Sequence, residues 1–244
     1  MGTVAVKRSL SAGRMLAVFE RIARSQPIGV SALARDLGAD KSAVQRDLMT
    51  LADAGWIRPE PGGPAGGTRW ELTPHILTLA RAPSSSDRLR LSARPVLERL
   101  RAETGETAYL TMPDGDRFVV IDALESFHLL RMVPPIGIVV PLEGSATARA
   151  VLPHLPEAEQ ARLLGAAPDE ALREEFRRTR ALGYAVNAGD IVSGAIAVAA
   201  PILGVGGAPV GALVVTGPSE RLTEERRPRI GDALREAARR LYEC

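Results

Sequence analysis

Cysteine is almost absent from this chain of 244 residues: the one Cys is Cys244, the last residue. That excludes an intrachain disulfide framework and every multi-cysteine metal site, and it fits a reducing cytosol, so a cytoplasmic protein is expected. Aromatic residues make up only 4% of the chain, which argues against a nucleic-acid reader built on base-stacking platforms. The three histidines, His75, His128 and His154, are scattered without metal-ligand spacing. Surface or packing roles are expected for them, and no metal or cofactor. Met1 to Leu10 lacks the apolar core of a signal peptide. The longest apolar run, Ala195 to Gly207, is too short and too broken by glycine to span a bilayer.

What is there is ordinary globular composition, 45% hydrophobic and 25% charged, in a length that suits two domains. Charge is unevenly placed: residues 1–82 hold eleven Lys/Arg against seven Asp/Glu, the remainder twenty against twenty-two. A basic first third on a mildly acidic remainder suits a small anion-binding module attached to something else, although chance variation of surface charge gives the same pattern.

Helical spacing supplies the module. Leu16, Phe19, Ile22 and Ala23 share a face of a helix over Leu10–Arg24, with Ser9 or Ser11 as cap and Gln26-Pro27 as stop. A second helix starts after Ser31, read as its N-cap, buries Leu33, Ala34 and Leu37, and ends at Gly38. Asp40 caps a third, whose apolar stripe is Val44, Leu48, Leu51 and Ala52 and which Gly55 closes. Two short helices around a tight glycine-containing turn make a helix-turn-helix. The outward side of the third helix carries Lys41, Ser42, Ala43, Gln45, Arg46 and Met49. A helix fits the major groove of duplex DNA, where Gln45 can pair with adenine and Arg46 with guanine or a phosphate. Ser42 and free N–H groups at the helix start suit a phosphate. Trp56-Ile57-Arg58 and Thr68 to Leu72 read as the strands of a β-hairpin wing around a Pro/Gly loop, with Arg58 and Arg69 as its basic residues.

Pro74 to Ala80 reads as a further helix, and residues 81–88, "RAPSSSDR", as a joint. Leu89 to Thr104 is helical, bent or restarted at Pro95. From Glu106 the period turns to β. Ala108–Thr111 and Arg117–Ala123 flank a turn, Phe127 to Met132 is a third strand, and Ile138 to Val140 continues an edge. Helices follow over Ala146–His154, Glu157–Leu164 and Asp169–Leu182. A strand at Tyr184–Val186, a hairpin of Ala195–Leu203 with Val210–Thr216, and a helix from Thr223 to Tyr242 complete the chain. This order predicts an α+β domain on an antiparallel sheet.

Nothing reads as a catalytic set, and no enzyme is expected. "GVGGAPVG" lacks the Gly-Lys-Ser/Thr ending of a phosphate loop, and Ser145 follows Gly144 without a Gly-x-Ser-x-Gly elbow. Glu174-Glu175 lies in an arginine-rich solvated helix. "PLEGSATARA", residues 141–150, places small residues where a loop enters a helix. Free N–H groups there can hold a carboxylate, and an ordinary Ser145 cap explains the same pattern. Two other classes compete with a DNA-binding regulator. An enzyme acting on a small acid needs a nucleophile or acid–base pair. A winged-helix adaptor for proteins lacks the steep salt dependence of DNA binding.

Together these segments resemble the IclR family of bacterial transcriptional regulators over nearly the whole chain. The likeness rests on "SLSAGRMLAVFERIA", "VSALARDLGADKSAVQRDLMTLADAGWI" and the wing, then on "TGETAYL", "VVPLEGSATARAVL", "LGYAVN", "IAVAAPIL" and "VGALVVTGPSERLT". It implies a winged helix-turn-helix DNA-binding domain over 1–80, a linker-helix region over 81–104 used in dimerisation, and a GAF/PAS-like effector-binding domain over 105–244. It further implies double-stranded operator DNA as partner, bound by a homodimer or dimer of dimers, and a small organic acid from a catabolic pathway as effector. The implied effector pocket uses main-chain N–H groups of Ser145, Ala146 and Thr147, and side chains at the positions of Asn187, Ala197, Val214 and Thr216. Where the family usually carries Ala/Gly-x-Gly-Lys, this chain has Ala146-Thr147-Ala148-Arg149. Ala197 and Val214 stand where Cys or Ser is common, so a ligand with a larger apolar part, an aromatic acid or an amide, is expected.

Overall fold

The computed structural model describes residues 9–60, 67–80 and 85–242. The wing loop 61–66, the joint at 81–84 and Cys244 lie outside the described residues. The chain divides into two compact units, 1–83 and 84–244.

In the first unit, α1 (Leu10–Ser25), β1 (Ile28–Gly29), α2 (Val30–Asp36), α3 (Lys41–Asp53), β2 (Ile57–Glu60), β3 (Arg69–Leu72) and α4 (Ile76–Ala80) follow in order. The strands form an antiparallel sheet in the order β1-β3-β2. Ser9 caps α1, its hydroxyl accepting the Ala12 N–H. Asp40 caps α3, its carboxylate accepting the Ala43 N–H. Val18, Ile22, Ile28, Leu33, Val44, Leu48, Leu51, Ile57 and Trp70 make the core. Each fully buried Leu or Ile there contributes roughly 1.5–3 kcal/mol.

Three expectations need correction in this unit. Leu16 and Ala23 face solvent; the inward stripe of α1 is Met15, Val18, Phe19 and Ile22. Both stripes fit a 3.6-residue period through Phe19 and Ile22, and the phase is set by α3, whose buried Asp47 takes Arg14 bidentately at 2.7 and 3.2 Å. Ser31 is not the cap of α2: the helix starts at Val30, two residues earlier, behind Gly29, which makes no side-chain cap, and Ser31 lies exposed in the first turn. Ala43 is buried within the α3 stripe rather than facing outward.

The second unit runs α5 (Ser85–Thr104), β4 (Thr107–Asp114), β5 (Arg117–Leu124), β6 (Val139–Val140), α6 (Ala146–Val151), α7 (Glu157–Leu164), α8 (Glu170–Leu182), β7 (Ala185–Ala188), β8 (Ala195–Leu203), β9 (Pro209–Pro218) and α9 (Arg227–Tyr242). Six strands form one antiparallel sheet in the order β6-β5-β4-β9-β8-β7. Alternation along the strands gives the sheet two apolar faces. One buries Ala108, Leu110, Ile196, Val198, Leu213 and Val215 against Leu97 and Leu100 of α5 and Leu234 of α9. The other sets Tyr109, Ala185, Ala199 and Val214 against Ala146 and Ala150 of α6. Helix α5 begins at Ser85, inside the stretch read as a joint, and continues through Pro95 as one helix packed on the sheet.

Phe127 to Met132 is not a strand. The outer edge of β5 is already taken by β6, which pairs Val139 and Val140 with Val119 and Phe118. The segment is instead tied by Arg221, whose Nη2 donates to the Leu130 carbonyl at 2.9 Å. Phe127 stays exposed beneath the Arg101 guanidinium, 4.3 Å from its ring centre.

Arg221 also makes a bidentate contact with a buried acid. Its Nε and Nη2 grip the two carboxylate oxygens of Glu106 at 2.5 and 2.9 Å, and Glu106 is 1% exposed. This hydrogen bonding raises the guanidinium above its ordinary pKa. Gly217 makes room for the pair, since a Cβ there would sit 2.4 Å from Glu106 Oε2. Arg221→Ala strands a buried carboxylate, and a loss of about 3–5 kcal/mol is expected, seen as a lower urea midpoint at unchanged slope. Glu106→Gln, which leaves a half-exposed arginine that water can solvate, should cost less.

Candidate nucleic-acid interface and ligand cavity

Local chemistry sets the outward face of α3. The Asp40 cap fixes where the helix begins, and the stripe from Val44 to Leu51 fixes which side is buried. Lys41, Ser42, Gln45, Arg46 and Met49 are therefore exposed. A groove of about 750 Å³ runs between this face, the start of α2 and the wing, lined by Ser31, Lys41, Gln45, Met49, Thr68 and Arg69. Four of the eight residues expected to contact DNA, Ser31, Lys41, Gln45 and Arg69, thus share one groove; Ser42, Ala43, Arg46 and Arg58 are not in its lining.

The cations differ in readiness. Lys41, Arg46 and Arg69 have no ion-pair partner among the described residues, whereas Arg58 is held by Glu71 at 2.6 Å. Ser42 donates its hydroxyl to Asp40 at 2.5 Å, and this bond leads the effects that hold the Asp40 carboxyl below the usual range. The start of α3 already carries an anion of its own, and the Ala43 N–H is taken by it. The first turn of α3 is thus occupied by its own acid, while the side chains of Lys41, Arg46 and Arg69 are left without one among the described residues.

The second unit holds a cavity of about 310 Å³ on the α6 side of its sheet. Asn187 of β7, Ala197 of β8 and Thr216 of β9 stand side by side in register and form its floor. Ser145 and Ala146, at the start of α6, form one wall; Pro134, Ile138, Ile191 and Val192 close the others. Five of the seven expected effector residues, Ser145, Ala146, Asn187, Ala197 and Thr216, line this space. Thr147 and Val214 do not. Val214 lies fully buried in the sheet between Tyr109 and Ala199, and Thr147 is 1% exposed with its hydroxyl unpartnered.

Tyr109 completes the lining and was missed by sequence reasoning. An aromatic in an alternating strand of a chain so poor in aromatics was the available signal. Burial raises its phenol above the ordinary value, so it stays a proton donor, and no group among the described residues bonds its hydroxyl. Other lining polar groups are engaged. Asn187 Nδ2 donates to the Gly144 carbonyl at 2.7 Å, and its Oδ1 accepts from the N–H groups of Gly189 and Asp190 at 2.9 and 3.0 Å. Thr216 donates to the Ile196 carbonyl at 2.9 Å. Ser145 accepts from the Ala148 N–H, which leaves its own proton free. Among the described residues no ionisable group except Tyr109 lines the cavity. Among the described residues no cluster of His, Cys, Asp or Glu suits a metal ion, and no helix is long and apolar enough to cross a membrane.

A winged helix-turn-helix followed by an α+β domain with such a cavity defines the two-domain class of transcriptional regulators. Family models agree: the IclR helix-turn-helix domain matches residues 11–61, and the bacterial transcriptional regulator IclR C-terminal domain matches residues 84–242. The chain belongs to the IclR family. It is 30% identical to the HTH-type transcriptional regulator BhcR of Paracoccus denitrificans, over 93% of this chain and 84% of that one. It is 28% identical to the transcriptional repressor IclR of Escherichia coli, over 93% and 86%. Among solved structures, a regulator from Silicibacter superposes with a TM-score of 0.77 at 26% identity, covering 96% of this chain and 95% of that one. An IclR homologue of Microbacterium hydrocarbonoxydans, complexed with 4-hydroxybenzoate, shares the fold with a TM-score of 0.78 at 21% identity, over 96% and 98%.

Asn187→Ala removes all three bonds that tie β7 to the loops beside the cavity. A loss of about 1–3 kcal/mol is expected, with faster amide exchange at Gly189 and Asp190 in the full-length protein. Unchanged exchange would show that the loop is held by other means.

Proposed function

We propose that this protein is a ligand-responsive regulator that holds operator DNA through α3 and the wing and releases or remodels that grip when a small organic acid fills the cavity. The observation that supports it most is that Lys41 and Arg69 line one groove with Gln45, and that neither they nor Arg46, also exposed on α3, has an ion-pair partner among the described residues. Gln45 reads adenine and Arg46 guanine or an adjoining phosphate, while Lys41, Arg69 and, at the cost of its bond to Glu71, Arg58 hold the backbone. The protein binds as a two-fold homodimer or a pair of them, with half-sites about 34 Å apart or a multiple of it. The target is a catabolic operon. Ligand acts by binding one arrangement of the dimer more tightly than the other.

The cavity favours a ligand with an apolar body. Its walls are Pro, Ile, Val and Ala, and the donors facing it are the hydroxyls of Tyr109 and Ser145 and the N–H of Ala146. An aromatic acid suits both parts, its ring between Ala197 and Ile138 and its carboxylate toward Ser145 and Ala146. The 4-hydroxybenzoate complex of the Microbacterium homologue supports this choice.

Two measurements test the reading. Lys41→Ala and Arg46→Ala should each weaken operator binding and reduce the dependence of log affinity on log salt by about one; a slope equal to wild type in both variants removes α3 from the interface. Calorimetric titration should rank aromatic acids above short aliphatic ones, and Ala197→Leu, which fills the floor, should abolish the heat. A preference for the short acids overturns the ligand class.

A further inference from the structure

A separate cavity of the second unit, about 340 Å³, lies among residues of α8, β8 and α9 and shares no lining residue with the first. Arg180, Arg235, Arg239 and His154 line it over an apolar wall that includes Leu203 and Ala238, and no carboxylate is in the lining. Two of the guanidiniums are fixed. Arg180 Nη1 donates to the Pro153 carbonyl at 2.7 Å. Arg235 Nη1 donates to the Leu182 carbonyl at 2.9 Å, and its Nη2 meets Asp232 at 2.8 Å. The stem of Arg235 passes directly over Gly183, where φ is 77° and a Cβ would sit 2.6 Å from Arg235 Cδ. Only glycine permits both the turn and that path. Arg239 is exposed and has neither hydrogen bond nor ion pair among the described residues. Asp232 is the one acid that offsets the three guanidiniums through a contact.

We propose that this cavity is a second ligand site that takes a small phosphorylated anion, a phosphate monoester or pyrophosphate group, independently of the apolar cavity. Two anchored planar forks and one free one present more donors than the protein uses, which matches the several oxygens of a phosphoryl group. The apolar wall lowers the local dielectric and strengthens each contact. Burial, and then the Arg180 charge, hold the His154 imidazole below its usual pKa, so it is neutral at pH 7 and leaves the positive charge to the arginines. Its Nε2 is buried without a partner.

The test is calorimetry of the full-length protein with sodium pyrophosphate at fixed ionic strength, beside Arg239→Ala, Arg180→Ala and Lys41→Ala. Saturable binding at one site per chain is expected, weakened about tenfold or more by Arg239→Ala, the loss of one charged hydrogen-bonded contact. Lys41→Ala should leave it unchanged, as should prior saturation with an aromatic acid. The Arg239 side chain has no bond among the described residues, so its removal should keep the melting temperature of the wild type. By NMR, pyrophosphate should raise the His154 titration by offsetting Arg180. No saturable heat, equal affinity in Arg239→Ala, or loss of binding in Lys41→Ala overturns the proposal. The last outcome would place the anion on the DNA-binding face instead.

Discussion

The second domain hangs on one buried carboxylate. Glu106 enters β4 almost wholly out of water, and the Arg221 fork beyond β9 neutralises it. A charge at that depth costs several kcal/mol unless it is paired with good geometry. The pair therefore fixes β4 and β9 at the ends where Thr107 faces Thr216. Thr104 reinforces the joint, its hydroxyl donating to the Leu100 carbonyl and accepting from the Glu106 N–H. Arg226 adds a bond from α9's approach to the Thr104 carbonyl. The position of Thr216 in the cavity floor, and of Tyr109 two residues along β4, follows from this registration.

The two domains solve recognition in opposite ways. On α3, Lys41 and Arg46 stand exposed without an ion pair among the described residues, and Asp40 beside them is committed to capping the helix. Charge there is available to a partner that brings its own. In the cavity, polar side chains are almost all satisfied internally, so what remains is shape, apolar surface and a few donors. Such a site discriminates by size and by the placement of a single polar end.

Much of this was legible from residue order because local chemistry decided it. Asp40, Gly38 and Gly55 punctuate α3, and the strict stripe of Val44, Leu48 and Leu51 orients it. The hairpin of β8 and β9 and the cap at Ser145 were legible for the same reason. The errors arose where a distant partner chose between equal local options. The phase of α1 depends on Arg14 reaching Asp47, thirty-three residues away. Ser31 lost the cap to Gly29 because the chain pairs first with β3 through Ile28 and Gly29. Phe127 to Met132 alternates like a strand, but β6 occupies the edge it would need. Tyr109 could not be placed at the cavity until the face of β4 that meets α6 was known. Asn187, expected as a ligand contact, lines the cavity and also ties together the loops beside it, which residue order did not reveal.

The floor of the cavity is uneven in what it does for the fold. Asn187 and Thr216 are bound to backbone on either side, but Ala197 between them offers only a methyl group. A change of side chain at that one position reshapes the chamber while every bond that builds the sheet stays in place. On the function proposed above, a single codon suffices to move a descendant of this gene from one chemical signal to another, with the scaffold inherited intact.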